Sequence, residues 1–366
     1  MARPLDIRTV ADYERQAETL LSALKSGDNE AAWRFKWEHP RFGGKTVDEV
    51  NAATPDLDLD DARLVVAQQQ SFETWADLLA FVDALAKPGP VATFETAVEA
   101  VVSGDLGTLQ SMLREQPDLV RARSSRRHHA TLLHYTAANG VEGERQKTPP
   151  DAVAITRALL DAGAEVDALA DMYDHQCTTM SMLVSSAHPH NAGVQIALAE
   201  TLLDHGAVLE GAGTNWQSAV TTALQFGYLD TARALARRQG AVRTLPVAAG
   251  LGLPDDVKRL LPKAGVRDRH AALALAAQHG HADVVRLLLD AGEDPSRYNP
   301  DGFHSHSTPL HQAVWADHLP VVRLLVESGA RVDMRDTVYQ STPLGWAIYG
   351  ERTRIADYLR ERGAPR

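Results

Sequence analysis

Fifteen histidines are spread over 366 residues, and four groups of them stand where chemistry could be done: His128-His129, Tyr173-Asp174-His175, His188-Pro189-His190 and His304-Ser305-His306. A His-x-His pair holds zinc only when further ligands converge on it. No third ligand is fixed by spacing here, and no His-Glu-x-x-His helix occurs, so the sequence predicts no metal centre and no cofactor. General acid–base work needs less, a positioned imidazole and a carboxylate. The candidates for it are His128, His129, Asp174, His175, His188 and His304, all in irregular stretches. Nucleophilic chemistry has little to stand on. The single cysteine, Cys177, reads as a small packed residue and excludes an intramolecular disulfide or a cysteine-rich zinc site. Neither a Gly-x-Ser-x-Gly elbow nor a glycine-rich phosphate cradle is present.

Acidic residues outnumber basic ones by 48 to 37, for a formal net charge of -11. Such a surface repels a phosphate backbone, so nucleic acid is not an expected partner. The most basic stretch, Arg121, Arg123, Arg126 and Arg127 followed by His128 and His129, reads as a solvated loop. No apolar run approaches the roughly 20 residues that span a bilayer, and Met1 to Val10 lacks the pattern of a signal peptide. With its lone cysteine, the chain is expected to be cytoplasmic and free of membrane contact.

The elements that would position these residues repeat. Thr308-Pro309-Leu310-His311 returns as Thr342-Pro343-Leu344-Gly345, an offset of 34 between positions 308 and 342. The first copy runs on through Val321-Val322-Arg323-Leu324-Leu325 to Ser328-Gly329-Ala330, the second through Ile355-Ala356-Asp357-Tyr358-Leu359 to Arg362-Gly363-Ala364. Thr308 suits an N-cap, Pro309 the first helical position, and Gly329 a left-handed helix end. One such unit buries too little to stand alone, and stacking completes its core.

This pattern resembles the ankyrin family. Weaker copies lie at 271–292, 243–265, 218–240, 178–206 and 131–167, with 94–118 as a polar-capped first unit, so that roughly eight units are expected across residues 91–366. The expected fold is an all-α ankyrin-repeat solenoid of stacked helix pairs behind a small helical N-terminal region, residues 1–90. In that region 13–25 reads as one helix, 61–69 and 74–86 as a pair, and Lys87-Pro88-Gly89-Pro90 as a linker. Ala62 to Ala67 with Ser71-Phe72-Glu73-Thr74-Trp75 looks like a helical module that precedes ankyrin arrays in some bacterial proteins; its expected role is to cover the first repeat. Insertions at 141–151 and 188–193, and long hairpin segments at 168–177, 209–217 and 294–307, break the regularity. In solenoids such departures often mark the binding face.

The resemblance implies that the two residues after the Ala-Ala position of each inner helix face a concave groove, with a third one turn earlier. It selects Tyr135, Asn139, Gln225, Phe226, Gln278, His279, Trp315, Trp346 and Tyr349 as partner-binding candidates. Aromatic bodies beside polar tips are what pockets and hot spots use. The resemblance also implies that His134 and His311 hydrogen-bond neighbouring hairpin backbone. The leading reading is a binding scaffold that presents its groove to a protein, a peptide or a small molecule. The alternatives are an enzyme whose pocket is roofed by the irregular hairpins and insertions, and a chain whose N-terminal helices make the contact while the repeats dock it. Self-association through the C-terminal aromatic residues is a further route, because the last unit has a short cap.

Overall fold

A computed structural model describes residues 8–210, 218–240 and 244–365. Its elements start where the sequence supplies caps. In α1 (Val10–Lys25), α3 (Val47–Ala53), α4 (Leu59–Gln69) and α5 (Trp75–Leu85), the N-cap residues Thr9, Thr46, Asp58 and Thr74 each close a reciprocal capping box with the acid three positions on. Asp28 caps α2 (Asn29–Glu38). The sequence reading anticipates α1, α4 and α5 and misses α2 and α3. The reason is legible in α2, whose Trp33 and Trp37 stack on the outside rather than joining a 3.6-residue apolar stripe. The five helices share one core running from Tyr13 through Phe35, Val50, Val65 and Leu78 to Val82, against which Val91 also packs.

Pro90 opens α6 (Pro90–Ser103) at its first position, so the proline-rich linker passes directly into helix. There follow α7 (Leu106–Glu115), α8 (Leu132–Tyr135) and α9 (Ala152–Asp161). Strands β1 (Ala170–Met172) and β2 (His175–Cys177) then form an antiparallel hairpin with Ala170 opposite Cys177. Next come α10 (Thr179–Leu183), α11 (Ala187–Asn191) and α12 (Gln195–Asp204). The expected insertion at 188–193 is thus largely the short helix α11. Most of the 209–217 hairpin lies outside the described residues, as does Arg243.

From Ala219 on, helix pairs succeed one another: α13 (Ala219–Gln225) and α14 (Leu229–Gln239), α15 (Leu245–Gly250) and α16 (Pro254–Leu260), α17 (Val266–Gln278) and α18 (Ala282–Asp290), α19 (Pro309–Trp315) and α20 (Leu319–Glu327), α21 (Pro343–Tyr349) and α22 (Thr353–Glu361). Thr308 and His311 cap α19, Pro309 takes its first position, and Gly329 (φ +93°) follows α20 in the left-handed region. One buried cluster threads the last four of these pairs from Leu245 through Val285, Leu310 and Val322 to Leu359, so none of the four closes a core by itself. The chain divides into two compact units, residues 1–216 and 217–366. The first unit contains the N-terminal helices together with α6 to α12.

Candidate functional site in the C-terminal unit

The site is built on the hairpin that precedes α21. Asp336 is fully buried there, and its carboxylate accepts the N–H groups of Val338 (2.9 Å), Tyr339 (2.5 Å) and Ser341 (3.0 Å) and the indole N–H of Trp346 (3.0 Å). Burial opposes the charge, but the bonds from Tyr339, Trp346, Ser341 and Val338 outweigh it and hold the carboxyl below its ordinary value. Thr337 N–H donates to the His306 carbonyl at 2.8 Å, and the Tyr298 hydroxyl donates to the Arg335 carbonyl at 2.6 Å. Two successive hairpins are thereby tied, and Tyr339 and Trp346 are set by a single side chain.

These elements enclose a groove cavity of about 640 Å³ lined by His304, His306, Gln312, Trp315, Tyr339, Ser341, Trp346 and Tyr349. A second cavity of about 440 Å³, lined by Gln225, Phe226, Gln278, His279 and His318 among others, shares His304, Gln312 and Trp315 with it. Trp315 and Tyr349 lie nearly parallel, with ring centres 6.3 Å apart and planes at 18°, and Trp346 meets Trp315 edge-on at 6.0 Å. The rings remain open to solvent, with Tyr349 83%, Tyr339 65% and Trp315 47% exposed. Seven of the residues expected in the groove, Gln225, Phe226, Gln278, His279, Trp315, Trp346 and Tyr349, line these two cavities.

Histidines brace the walls. His304 Nε2 donates to the Gln225 carbonyl (2.7 Å) and His279 Nε2 to the Leu224 carbonyl (2.8 Å). His311 Nε2 donates to the Ser341 carbonyl (3.2 Å), while its Nδ1 accepts from the Thr308 hydroxyl (2.9 Å). Burial pushes His279 and His311 down to about 4, so both are neutral near pH 7. His134 holds the equivalent post in the first unit, against the Cys177 carbonyl at 3.3 Å. The sequence reading does not place His306, Tyr339, Ser341 or His318 on this surface. A hairpin tip such as Thr337-Val338-Tyr339-Gln340 carries no periodic signal.

Two of the expected groove residues, Tyr135 and Asn139, lie in the first unit and line neither cavity. Tyr135 is fully buried in the first unit, edge-on to Phe94 and His128, with its hydroxyl 3.5 Å from Glu142 Oε1. Asn139 is a brace: its amide donates to the Met182 carbonyl (3.2 Å) and Ser185 Oγ (2.9 Å), and its oxygen accepts from the Tyr173 hydroxyl (2.6 Å). The basic stretch is only in part a solvated loop: Arg121, Arg123, Arg127 and His129 are exposed, whereas Arg126 and His128 turn inward. Arg126 is only 3% exposed, with Nε 2.5 Å from Glu142 Oε1, Nη2 3.5 Å from Glu95 and Nη1 donating to the Gln70 carbonyl at 2.8 Å. Arg145 completes the cluster 2.5 Å from Glu95. Arg127 donates from its backbone to the Ser71 carbonyl and from its side chain to Gln68, both at 2.8 Å. The insertion at 141–151 turns Glu142 and Arg145 inward.

The acid–base candidates do not gather in either cavity. His128 is buried, donating from Nε2 to Glu142 (3.1 Å) and accepting the Ala130 N–H (3.0 Å). His129 adopts a left-handed φ of 49°, Asp174 sits at the β1–β2 turn with His175 opening β2, and His188 is exposed on α11. Only His304 of the six lines the groove. Among the described residues no group of three or more His, Cys, Asp or Glu side chains is arranged to hold a metal ion, and no helix is long and apolar enough to cross a membrane.

Comparison with known proteins agrees with this architecture. The family model for ankyrin repeats (three copies) matches residues 245–336. A stretch of 113 residues, 30% of this chain, is 34% identical to the mouse ankyrin repeat and SAM domain-containing protein 6, and the rat protein of that name is 33% identical over the same length. An ankyrin repeat-containing protein of Schizosaccharomyces pombe is 37% identical over 62 residues, 17% of this chain and 28% of that protein. The chain spans only 12% of the length of the mouse and rat relatives. The C-terminal part of the chain thus carries ankyrin repeats, with many helices before them, and such repeats generally mediate protein binding.

Proposed function

We propose that the chain is a non-enzymatic binding scaffold whose C-terminal groove takes hold of an extended segment of a partner protein. The observation that supports this most is the open platform of Trp315, Tyr339 and Tyr349 at the mouth of two cavities that meet at Trp315. Exposed aromatic rings on rigid backbone lose little side-chain freedom on binding and dominate interface energetics. The helix pairs from α6 to α12 are read as divergent repeats within the first unit, and the five N-terminal helices as their hydrophobic cover.

The test is selection of peptides from a displayed library against the full chain, followed by affinity measurement on Trp315→Ala and Tyr349→Ala. Each change is expected to weaken selected peptides by roughly tenfold or more, the loss typical of a hot-spot aromatic. Peptides that bind both variants as well as the unaltered chain would refute the groove.

A further inference from the structure

Several aromatic rings elsewhere in this protein are covered by the chain's own cations. Lys36 Nζ stands 4.5 and 4.8 Å from the ring centres of Trp33 and Trp37. Arg63 lies 5.9 Å over Trp75, Arg126 4.5 Å over Phe81, and Arg323 and Arg362 5.2 and 5.1 Å over Tyr358. Among the described residues no lysine or arginine takes that place over Trp315, Tyr339, Trp346 or Tyr349. Arg352, which reaches this platform, spends Nε and Nη2 on the Trp315 carbonyl at 3.3 and 3.2 Å.

The cavity is also electrically one-sided. Its lining holds no lysine, arginine, aspartate or glutamate. Directly behind Trp346, on its indole N–H, sits the buried carboxylate of Asp336, which no cation pairs among the described residues. A carboxylate bonded to the N–H edge of an indole makes the ring face more negative, and the four ring faces add their own negative quadrupoles. Burial lowers the pKa of His306, and His304 acts in the same direction, so protonation of His306 in this cavity is disfavoured.

We propose that this cavity is a receptor for a quaternary ammonium group. The choice among cations follows from the acceptors. An ammonium or guanidinium must replace the hydrogen bonds that it gives up to water, and this lining offers it no carboxylate. A fully alkylated nitrogen donates no hydrogen bond, is weakly hydrated and keeps its charge at every pH, so aromatic faces suffice to hold it. The cavity volume admits a trimethylammonium head and the chain that carries it. This rests on the reading of the groove as a binding surface and names the group that would be seated in it.

The experiment titrates the full chain with tetramethylammonium and choline, and with 3,3-dimethylbutanol, the uncharged carbon isostere of choline, following the indole N–H resonances of Trp315 and Trp346. The expected result is saturable shifts with both ammonium ions and binding of the isostere weaker by roughly tenfold. Tyr349→Ala, which removes an exposed ring, should abolish the shifts without unfolding the hairpin. Asp336→Asn should narrow the gap between choline and its isostere. Equal binding of choline and the isostere, or no ammonium-induced shift while the library peptides still bind, overturns the receptor and leaves the groove standing. Loss of both peptide and ammonium binding overturns both. A trimethyl-lysine peptide that outbinds its lysine counterpart and displaces choline identifies a protein source; choline binding without that preference identifies a small molecule.

Discussion

The two units solve the same packing problem with a different balance of side-chain chemistry. Residues 1–216 carry 32 acidic and 18 basic side chains, whereas residues 217–366 carry 16 and 19. The first unit takes charge inside: Arg126, Arg145, Glu95 and Glu142 are all buried or nearly so, and the irregular 141–151 segment supplies two of them. The second unit joins its repeats through imidazoles on neighbouring carbonyls and leaves Trp315, Tyr339 and Tyr349 exposed. The irregular 141–151 segment in the first unit contributes to internal cohesion, and the exposed aromatic groove lies in the more regular half.

Acid should separate the units most strongly. His279 and His311 in the second unit and His134 in the first are each pushed down to about 4 by burial. A histidine with a depressed folded pKa leaves the unfolded chain binding more protons between pH 6.5 and 4, so its stabilisation is complete above 6.5 and is lost as the pH falls. The loss is roughly 3 kcal/mol for each such histidine over that window, and the second unit carries two of the three. Glu142, held at about 2 because Arg126, the His128 bond and Arg145 outweigh its burial, keeps the first unit's charge cluster intact through the same window. Hydrogen-exchange labelling at pH 6.5 and 4.5 should show α17 to α22 opening before α6 to α9. The reverse order would break the comparison.

Removing the cation at the centre of the first unit comes next. Arg126→Met leaves Glu142 and Glu95 buried with Arg145 as the remaining cluster arginine, a change that costs roughly 3–5 kcal/mol when one partner of a buried ion pair is lost. Urea unfolding should show that loss, with exchange in α19 to α22 unmoved. A loss below about 1 kcal/mol would mean that the buried charges are not what holds this unit. In the second unit, Asp336→Ala frees three hairpin N–H groups and the Trp346 indole, and should cost roughly 2 kcal/mol by thermal unfolding. Smallest of all, Trp315→Ala and Tyr349→Ala should change stability by no more than about 1 kcal/mol, as expected for exposed positions, while removing peptide binding. Equal loss of fold and binding would assign these rings to the core.

Much of the second unit is legible in the chain before any coordinates. Thr308, Pro309 and Gly329 announce a helix start and a helix end through local stereochemistry, and the 34-residue return at Thr342 makes the stacking explicit. Placement of Trp315, Trp346 and Tyr349 on the groove follows from the same register. His304 is visible as chemistry, but its duty as a brace to Gln225 is not, because that carbonyl is 79 positions away. Arg126 fails for the same cause: nothing near it in sequence distinguishes a solvated arginine from one that meets Glu95, Glu142 and the Gln70 carbonyl. Tyr135 and Asn139 share the groove register, yet Tyr135 is buried beside Glu142, and the half-buried Asn139 is engaged by Met182 and Tyr173.

Short-range rules, namely capping, helical period and the freedom of glycine, suffice to establish helix pairs, their repeat and the candidate face of the C-terminal unit, since each acts within a turn or two of chain. Which charges are sheltered, which histidines stay neutral and which rings keep an uncovered face depend on groups that meet only after packing. Desolvation and partner geometry set those outcomes, and neither exists until distant segments are in contact.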